Sequence, residues 1–257
     1  MGMIQVEDLC FSYDHSKDVL KQINLSLEKG KIIVLLGPNG SGKTTLLKCI
    51  NAIVKPTSGH IYVNGIDMSC MKRHEIAQQI SYVPQDHKTS FPYTVLEFIL
   101  LGRAPYIGIF SVPGRKDIER CHEILDSLGI RNLSDNLYTE ISGGERKLVM
   151  IARALSASPE ILLLDEPTAH LDIKHQAEVL RVIKTLVRNR ETTVLMTLHD
   201  PNLATLIADR VILLKNGKLL NEGSAKEIIT RDNIRRIYDC EVLTFAYQDM
   251  VFIYPES

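Results

Sequence analysis

The chain has 257 residues, 45% hydrophobic and 24% charged, which suits one large α/β domain or a domain with a small appendage. Lys and Arg number 30 against 31 Asp and Glu, a formal net charge of −1, which excludes the basic footprint of a nucleic-acid binder or a polybasic membrane anchor. Cys10, Cys49, Cys70, Cys121 and Cys240 are scattered and form no C-x-x-C pair, so neither a disulfide framework nor a zinc site is expected and a reducing cytosol is the simplest home.

The opening MGMIQVEDLC lacks the basic start and apolar core of a signal peptide. No apolar run approaches the roughly 18 residues that span a bilayer, so a membrane role is expected to come through a partner. Alternating segments 4–13 and 19–27 predict antiparallel strands joined by the polar turn DHSKD. An apolar strand follows at 32–36, then GPNGSGKT and a helix from 43 to about 53. A strand at 60–63 runs into the Asn64-Gly65 turn, and a helix at 72–79 leads to a strand at 80–83. Beyond Pro84 the alternation breaks. Residues 94–128 read as mostly helical around the loop APYIGIFSVPGR, and about 86–140 are expected to form a helical insert. A helix at 145–157, an apolar strand at 161–164 and a helix at 174–190 come next. The alternation continues with a strand at 194–198, a helix at 201–208 and a strand at 211–214. Asn216-Gly217 then predicts a hairpin turn, two short helices follow, and an alternating tail at 242–254 ends the chain. Strands alternating with helices predict a mostly parallel sheet covered on both faces.

GPNGSGKT, Gly37 to Thr44, carries the most chemistry. Glycines let consecutive N–H groups converge on an anion, and the helix that follows points its positive end at the same place. Lys43 then reaches the β- and γ-phosphates, and the Thr44 hydroxyl ligates Mg²⁺. A plain glycine turn has no use for a lysine and a hydroxyl at those two positions. LLLDEP ends the second apolar strand, with Asp165 as a second Mg²⁺ ligand and Glu166 able to take a proton from water. Ser142-Gly143-Gly144-Glu145 reads as a helix cap, and its paired glycines also bare N–H groups for a second anion. One phosphate loop and two anion-seeking helix starts mean that either a second anion binds or two chains share nucleotides. His199 can donate to a phosphate or serve only the fold. Gln85 can ligate Mg²⁺ or water, or cap a turn. Tyr13 can stack on adenine or pack on its sheet.

GPNGSGKT, YVPQD, ISGGE, LLLDEP, AHLD and TLHD, in that order, resemble the ATP-binding cassette (ABC) ATPases over about residues 4–242. The resemblance implies the cassette fold, an α/β P-loop core with an N-terminal antiparallel β part. The core would take residues 1–85 and 141–240, the helical subdomain 86–140 and a C-terminal tail 241–257. It implies ATP as substrate and Mg²⁺ as cofactor. Nucleotide contacts would fall on Tyr13, Gly37, Asn39, Gly40, Ser41, Gly42, Lys43, Thr44, Thr45, Ser142, Gly143, Gly144, Glu145 and Asp172. Metal contacts would fall on Thr44, Gln85 and Asp165, and catalysis on Glu166, His199, Gln85 and Lys43. Two copies would pack head to tail, each signature stretch, Ser142 to Glu145, facing the nucleotide of the other. Membrane permease subunits, and indirectly a substrate-binding protein, would be the other partners at the cytoplasmic face of the inner membrane, with no nucleic acid. PTAHLDIKHQ, LGRAPYIGIF and ITRDNIRRIYDCEV resemble the ATPases of iron–siderophore, haem and cobalamin importers. Molybdate importers and the soluble cassette of iron–sulfur cluster assembly are the alternatives. Glu145, Ile141 and His170 depart from the residues usual in the family.

Overall fold

The computed structural model describes residues 3–14, 18–87, 91–108, 111–190, 192–248 and 250–256. The middle of the DHSKD turn, and residues 109–110 of the proline- and glycine-rich loop, lie outside the described residues. In chain order the elements are β1 (Ile4–Ser12), β2 (Asp18–Leu27), β3 (Ile32–Leu36), α1 (Lys43–Ile50), β4 (Ser58–Val63), β5 (Ile66–Asp67), α2 (Arg73–Gln79) and β6 (Ile80–Val83). Then come α3 (Val95–Leu100), α4 (Arg115–Ser127), α5 (Gly143–Ser156), β7 (Ile161–Leu164), α6 (Ile173–Arg190), β8 (Thr193–Leu198) and α7 (Pro201–Ile207). The chain closes with β9 (Arg210–Lys215), β10 (Lys218–Gly223), α8 (Ala225–Ile228), α9 (Arg231–Tyr238), β11 (Val242–Tyr247) and β12 (Met250–Pro255).

Among the described residues the central sheet runs β10-β9-β3-β8-β7-β6, parallel except for β10. A second, antiparallel sheet runs β2-β1-β4-β5. The period of two explains how one sheet serves two cores. Ile32, Val34 and Leu36 of β3 face a core shared with α3 to α6, while Ile33 and Leu35 face one shared with α1 and the antiparallel sheet. The same split recurs on β7, where Leu162 and Leu164 take one side and Ile161 and Leu163 the other. Each fully buried Leu or Ile contributes ~1.5–3 kcal/mol, so these strands are held by their side chains more than by local propensity.

The differences from expectation have local causes. α1 stops at Ile50 because Asn51 caps it and Ala52 takes a left-handed φ of 53°. The insert is less helical than its pattern suggests. α3 is six residues long, and Pro105 falls in the tight 3₁₀ stretch 101–106 that follows. α5 starts at Gly143, two residues early, because the Ser142 hydroxyl accepts the Glu145 N–H and closes the first turn over the glycines. The tail folds back as the hairpin β11–β12, which Asn202 and Thr205 of α7 hold through the Ile253 and Val251 main chain.

Candidate functional site

Strand register brings distant loops to one edge of the sheet. Leu36 pairs with Leu198, so Gly37 and His199 leave side by side. Leu164 pairs with Met196, which sets Asp165 beside Thr197, and Val83 pairs with Leu164, which brings Gln85 alongside. Ligands of open α/β sheets bind at such an edge, beyond the carboxyl ends of the strands.

The loop 37–42 is shaped for an anion. Gly42, the residue before α1, has φ 107°, a conformation that costs other residues dearly. A Cβ on Gly37 would stand 2.1 Å from the Leu214 carbonyl oxygen. α1 has neither a side-chain cap nor an acid in its first turn, in contrast to α3 and α5, whose Thr94 and Ser142 close capping boxes. Its leading N–H groups are therefore left for a ligand. Among the described residues Ser41 Oγ is buried without a hydrogen-bond partner, a second group suited to a phosphate oxygen. Thr44 sits half-buried in the first turn, and Asn39 and Gly40 are exposed at the rim. Lys43, 5% exposed, donates to the carbonyls of Gly37 at 2.7 Å and Pro38 at 3.1 Å. Burial pulls its pKa below the usual lysine value, and the Glu166 and Asp165 carboxylates oppose that pull.

The two carboxylates are held by different partners. Asp165 accepts from Thr197 Oγ1 at 2.8 Å and from the Tyr82 hydroxyl at 3.1 Å. Glu166 accepts from Gln85 Nε2 at 2.7 Å on one oxygen and meets His199 Nε2 at 2.5 Å with the other. Its N–H donates to Thr197 Oγ1 at 2.8 Å. Glu166 also has φ 48°, a left-handed conformation costing ~1–3 kcal/mol, which this set of hydrogen bonds sustains. Thr197 uses its single hydroxyl twice, donating to Asp165 and accepting from Glu166, and thereby couples the pair.

The remaining sequence candidates form a second group. Ser142 caps α5, and Glu145 folds back so that one carboxylate oxygen accepts the Ser142 N–H at 2.8 Å and its O–H at 2.7 Å. Those bonds hold the Glu145 carboxyl below the usual carboxylate range. Gly143 is exposed, whereas Gly144 is buried beneath His175. Asp172 is exposed, and its Oδ1 accepts from the N–H and from Nδ1 of His175, both at 2.8 Å. Among the described residues, the Ser142 and Asp172 side chains hydrogen-bond only within this group. Tyr13 stands apart beside α1, with its ring edge-on to Phe11 at 4.7 Å and its hydroxyl 3.3 Å from Thr45 Oγ1.

Several further residues hold the site together without being among its sequence candidates. Lys147 of α5, buried, donates Nζ to the Gln85 carbonyl at 2.7 Å and so ties the second group's helix to the first. Burial lowers its pKa against the pull of Asp86, Asp165 and Glu166. Tyr238 of α9 places its hydroxyl against the Gly37 N–H and, at 3.5 Å, the His199 carbonyl. Burial pushes that phenol up to about 12, so it stays protonated at neutral pH. Thr197 had a sequence signal, a hydroxyl near the end of an otherwise apolar strand. Tyr238 lies within the ITRDNIRRIYDCEV stretch, though nothing in that stretch points to this contact, and Lys147 has no such signal.

Residues 20–169 match the protein-family model described as ABC transporter. A Helicobacter pylori protein named "Probable iron chelatin transport ATP-binding protein" is 36% identical over 253 residues, covering 98% of this chain and 99% of that protein. A solved structure described as an inward-facing conformation of a metal-chelate type ABC transporter superposes with TM-score 0.87 at 32% identity, covering 100% of this chain and 98% of that one. A dimeric bacterial ABC transporter cassette superposes with TM-score 0.77 at 30% identity, covering 87% and 99% respectively.

Proposed function

Because the chain belongs to the ABC transporter ATP-binding family, an ATPase family coupled to transport, we propose that it powers an importer of an iron chelate, haem, cobalamin or a similar metal-containing cargo. The cargo reading is supported by the similarity, over nearly the full length, to an iron chelatin transport protein and a metal-chelate type transporter.

Hydrolysis is an in-line attack by water on the γ-phosphate, in which positioning and charge do most of the catalysis. Lys43, Ser41 and the N–H groups of the loop and α1 bind the phosphates, with Gly37, Asn39, Gly40, Gly42 and Thr45 completing the cradle and Tyr13 beside the base. Thr44, Asp165 and Gln85 would hold Mg²⁺, which supplies charge neutralisation to the phosphate oxygens when bound. Glu166 takes the proton of the attacking water. Gln85 and His199 orient its carboxylate, and His199 contacts the γ-phosphate. The observation that carries this reading is the Glu166 carboxylate, 7% exposed and fixed by Gln85 and His199 beside a buried lysine. Glu166→Gln should keep ATP binding and lose turnover by about 10²–10⁴-fold, the usual worth of a general base. Near-normal phosphate release from that variant would falsify the assignment.

Ser142, Gly143 and Gly144, with Glu145 as their cap and Asp172 alongside, serve the nucleotide of a second copy packed head to tail. The exposure of Ser142, Gly143 and Asp172, and the dimeric relative, support this. Residues of about 86–140 transmit the motion to permease subunits, which would hold the protein at the cytoplasmic face of the membrane and receive cargo from a binding protein. No described helix is long and apolar enough to cross a membrane itself. A groove of about 650 Å³ between α2 and α5, lined by Arg73, Ile76, Leu101, Pro105 and Arg153, supports permease docking there. Phe91, 65% exposed and 5.8 Å from Tyr93, and the half-exposed Tyr106 lie on the insert's surface. Polar substitutions at these three rings should reduce permease co-purification, and intact co-purification would refute this placement.

A further inference from the structure

The His175-Gln176 pair at the start of α6 is part of the PTAHLDIKHQ stretch but has no role in the reaction described above. We infer that His175 is a positioning residue that locks the Asp172 loop to the signature helix α5, so that both surfaces offered to the second copy move as one body. The inference rests on the head-to-tail reading.

Two contacts define it. The imidazole Nδ1 lies 2.8 Å from Asp172 Oδ1, beside the main-chain N–H that donates to the same oxygen. On its other side the ring packs against Gly144, where a Cβ would stand 2.2 Å from His175 Cδ2. Gly144 is thus a glycine for a reason internal to the chain, because the imidazole fills the space a side chain would need. Gln176 braces the same loop from behind, donating Nε2 to the Leu171 carbonyl at 3.1 Å. Charged groups near the ring are Asp172 on its own side, which Lys174 also acts on, and Glu145 across on α5. The Asp172 carboxyl is held below the usual range first by the His175 N–H and ring, and Glu145 first by Ser142 with His175 adding to it. One side chain therefore reaches both groups. A loop and a helix start that share a filled, hydrogen-bonded joint have fewer relative positions open to them, which lowers the ordering cost of docking on a partner.

Three variants separate the two contacts. His175→Phe keeps a ring against Gly144 and loses the donor, His175→Asn keeps a short donor near Asp172 and loses the ring, and His175→Ala loses both. All keep the main-chain bond to Asp172. Each is made alone, for kcat and KM, and in the Glu166→Gln background, for ATP-driven dimerisation and for ATP affinity at protein concentrations too low to dimerise. His175→Ala should lower kcat and weaken the dimer about tenfold, the worth of one hydrogen bond to a charged group, with ATP affinity of the single chain unchanged. Asn should recover most of the loss and Phe little of it. The inference is overturned if all three match the parent. It is equally overturned if the losses track thermal stability and ATP affinity alike, since that marks a merely structural residue. Failure of Glu166→Gln itself to dimerise with ATP would instead remove the head-to-tail reading and the inference with it.

Discussion

Asp165 and Glu166 are 1% and 7% exposed, and all four of their carboxylate oxygens meet hydrogen-bonding partners within the chain. The Asp172 side chain is 65% exposed, Ser142 is exposed, and their bonds stay within the local turn. The first region is preorganised because its charges are buried, and buried charges must be paired or they shift and neutralise. The second is open because its hydrogen bonds only hold a helix start and a loop in shape. The contrast shows where a single chain can assemble a site by itself and where it presents a surface. The P-loop half has depth, strain at Glu166 and an uncapped helix end. The signature half has a satisfied cap and solvent.

Breaking the buried half should cost the most. The loss of turnover expected for Glu166→Gln comes first. Lys43→Ala should weaken ATP binding by roughly 10–100-fold, as expected for charge-assisted bonds to phosphate. Unchanged affinity in a direct titration would contradict the anion cradle. Thr197→Val sharpens the comparison, because it conserves shape while stranding Asp165 Oδ1 and the Glu166 N–H. It should cost about 1–3 kcal/mol of stability in denaturant titration, the penalty for an unpaired buried polar group. A stability equal to the parent's would mean that the two carboxylates are not coupled through this hydroxyl.

Legibility in the sequence follows the same divide between local and distant causes. The cradle was readable because Gly37 to Thr44 pack their whole chemistry into consecutive residues. Asp165 and Glu166 were readable because they end an apolar strand. The buried parallel strands match their expected bounds within a residue or two, since burial on both faces leaves an apolar run such as Ile161–Leu164 with no alternative, whereas β5 is unexpected and the single alternating tail is two strands. What was not readable comes from register and packing. Tyr82 and Thr197 reach Asp165 only because β6, β7 and β8 are neighbours in a definite alignment. Lys147 reaches Gln85, and His175 reaches Gly144, across helices whose relative placement no motif encodes. Ser142 caps α5 as its sequence suggests, and the helix begins at Gly143 rather than 145 because the capping box outweighs the two glycines once Glu145 turns back onto Ser142, a cap being worth ~1 kcal/mol.

The central claim is that the deep half and the open half belong to different nucleotides, each site being finished by the other copy. It is tested most directly by sedimentation of two full-length variants, Glu166→Gln and Glu166→Gln combined with Ser142→Arg, with and without ATP and magnesium. Glu166→Gln should pass from monomer to dimer on adding ATP. The double variant should bind ATP through its P-loop, which Ser142 does not touch, and remain a monomer, because the added side chain obstructs the surface offered to the partner. An ATP-saturated Glu166→Gln that stays monomeric, or a double variant that dimerises as readily, would contradict the account.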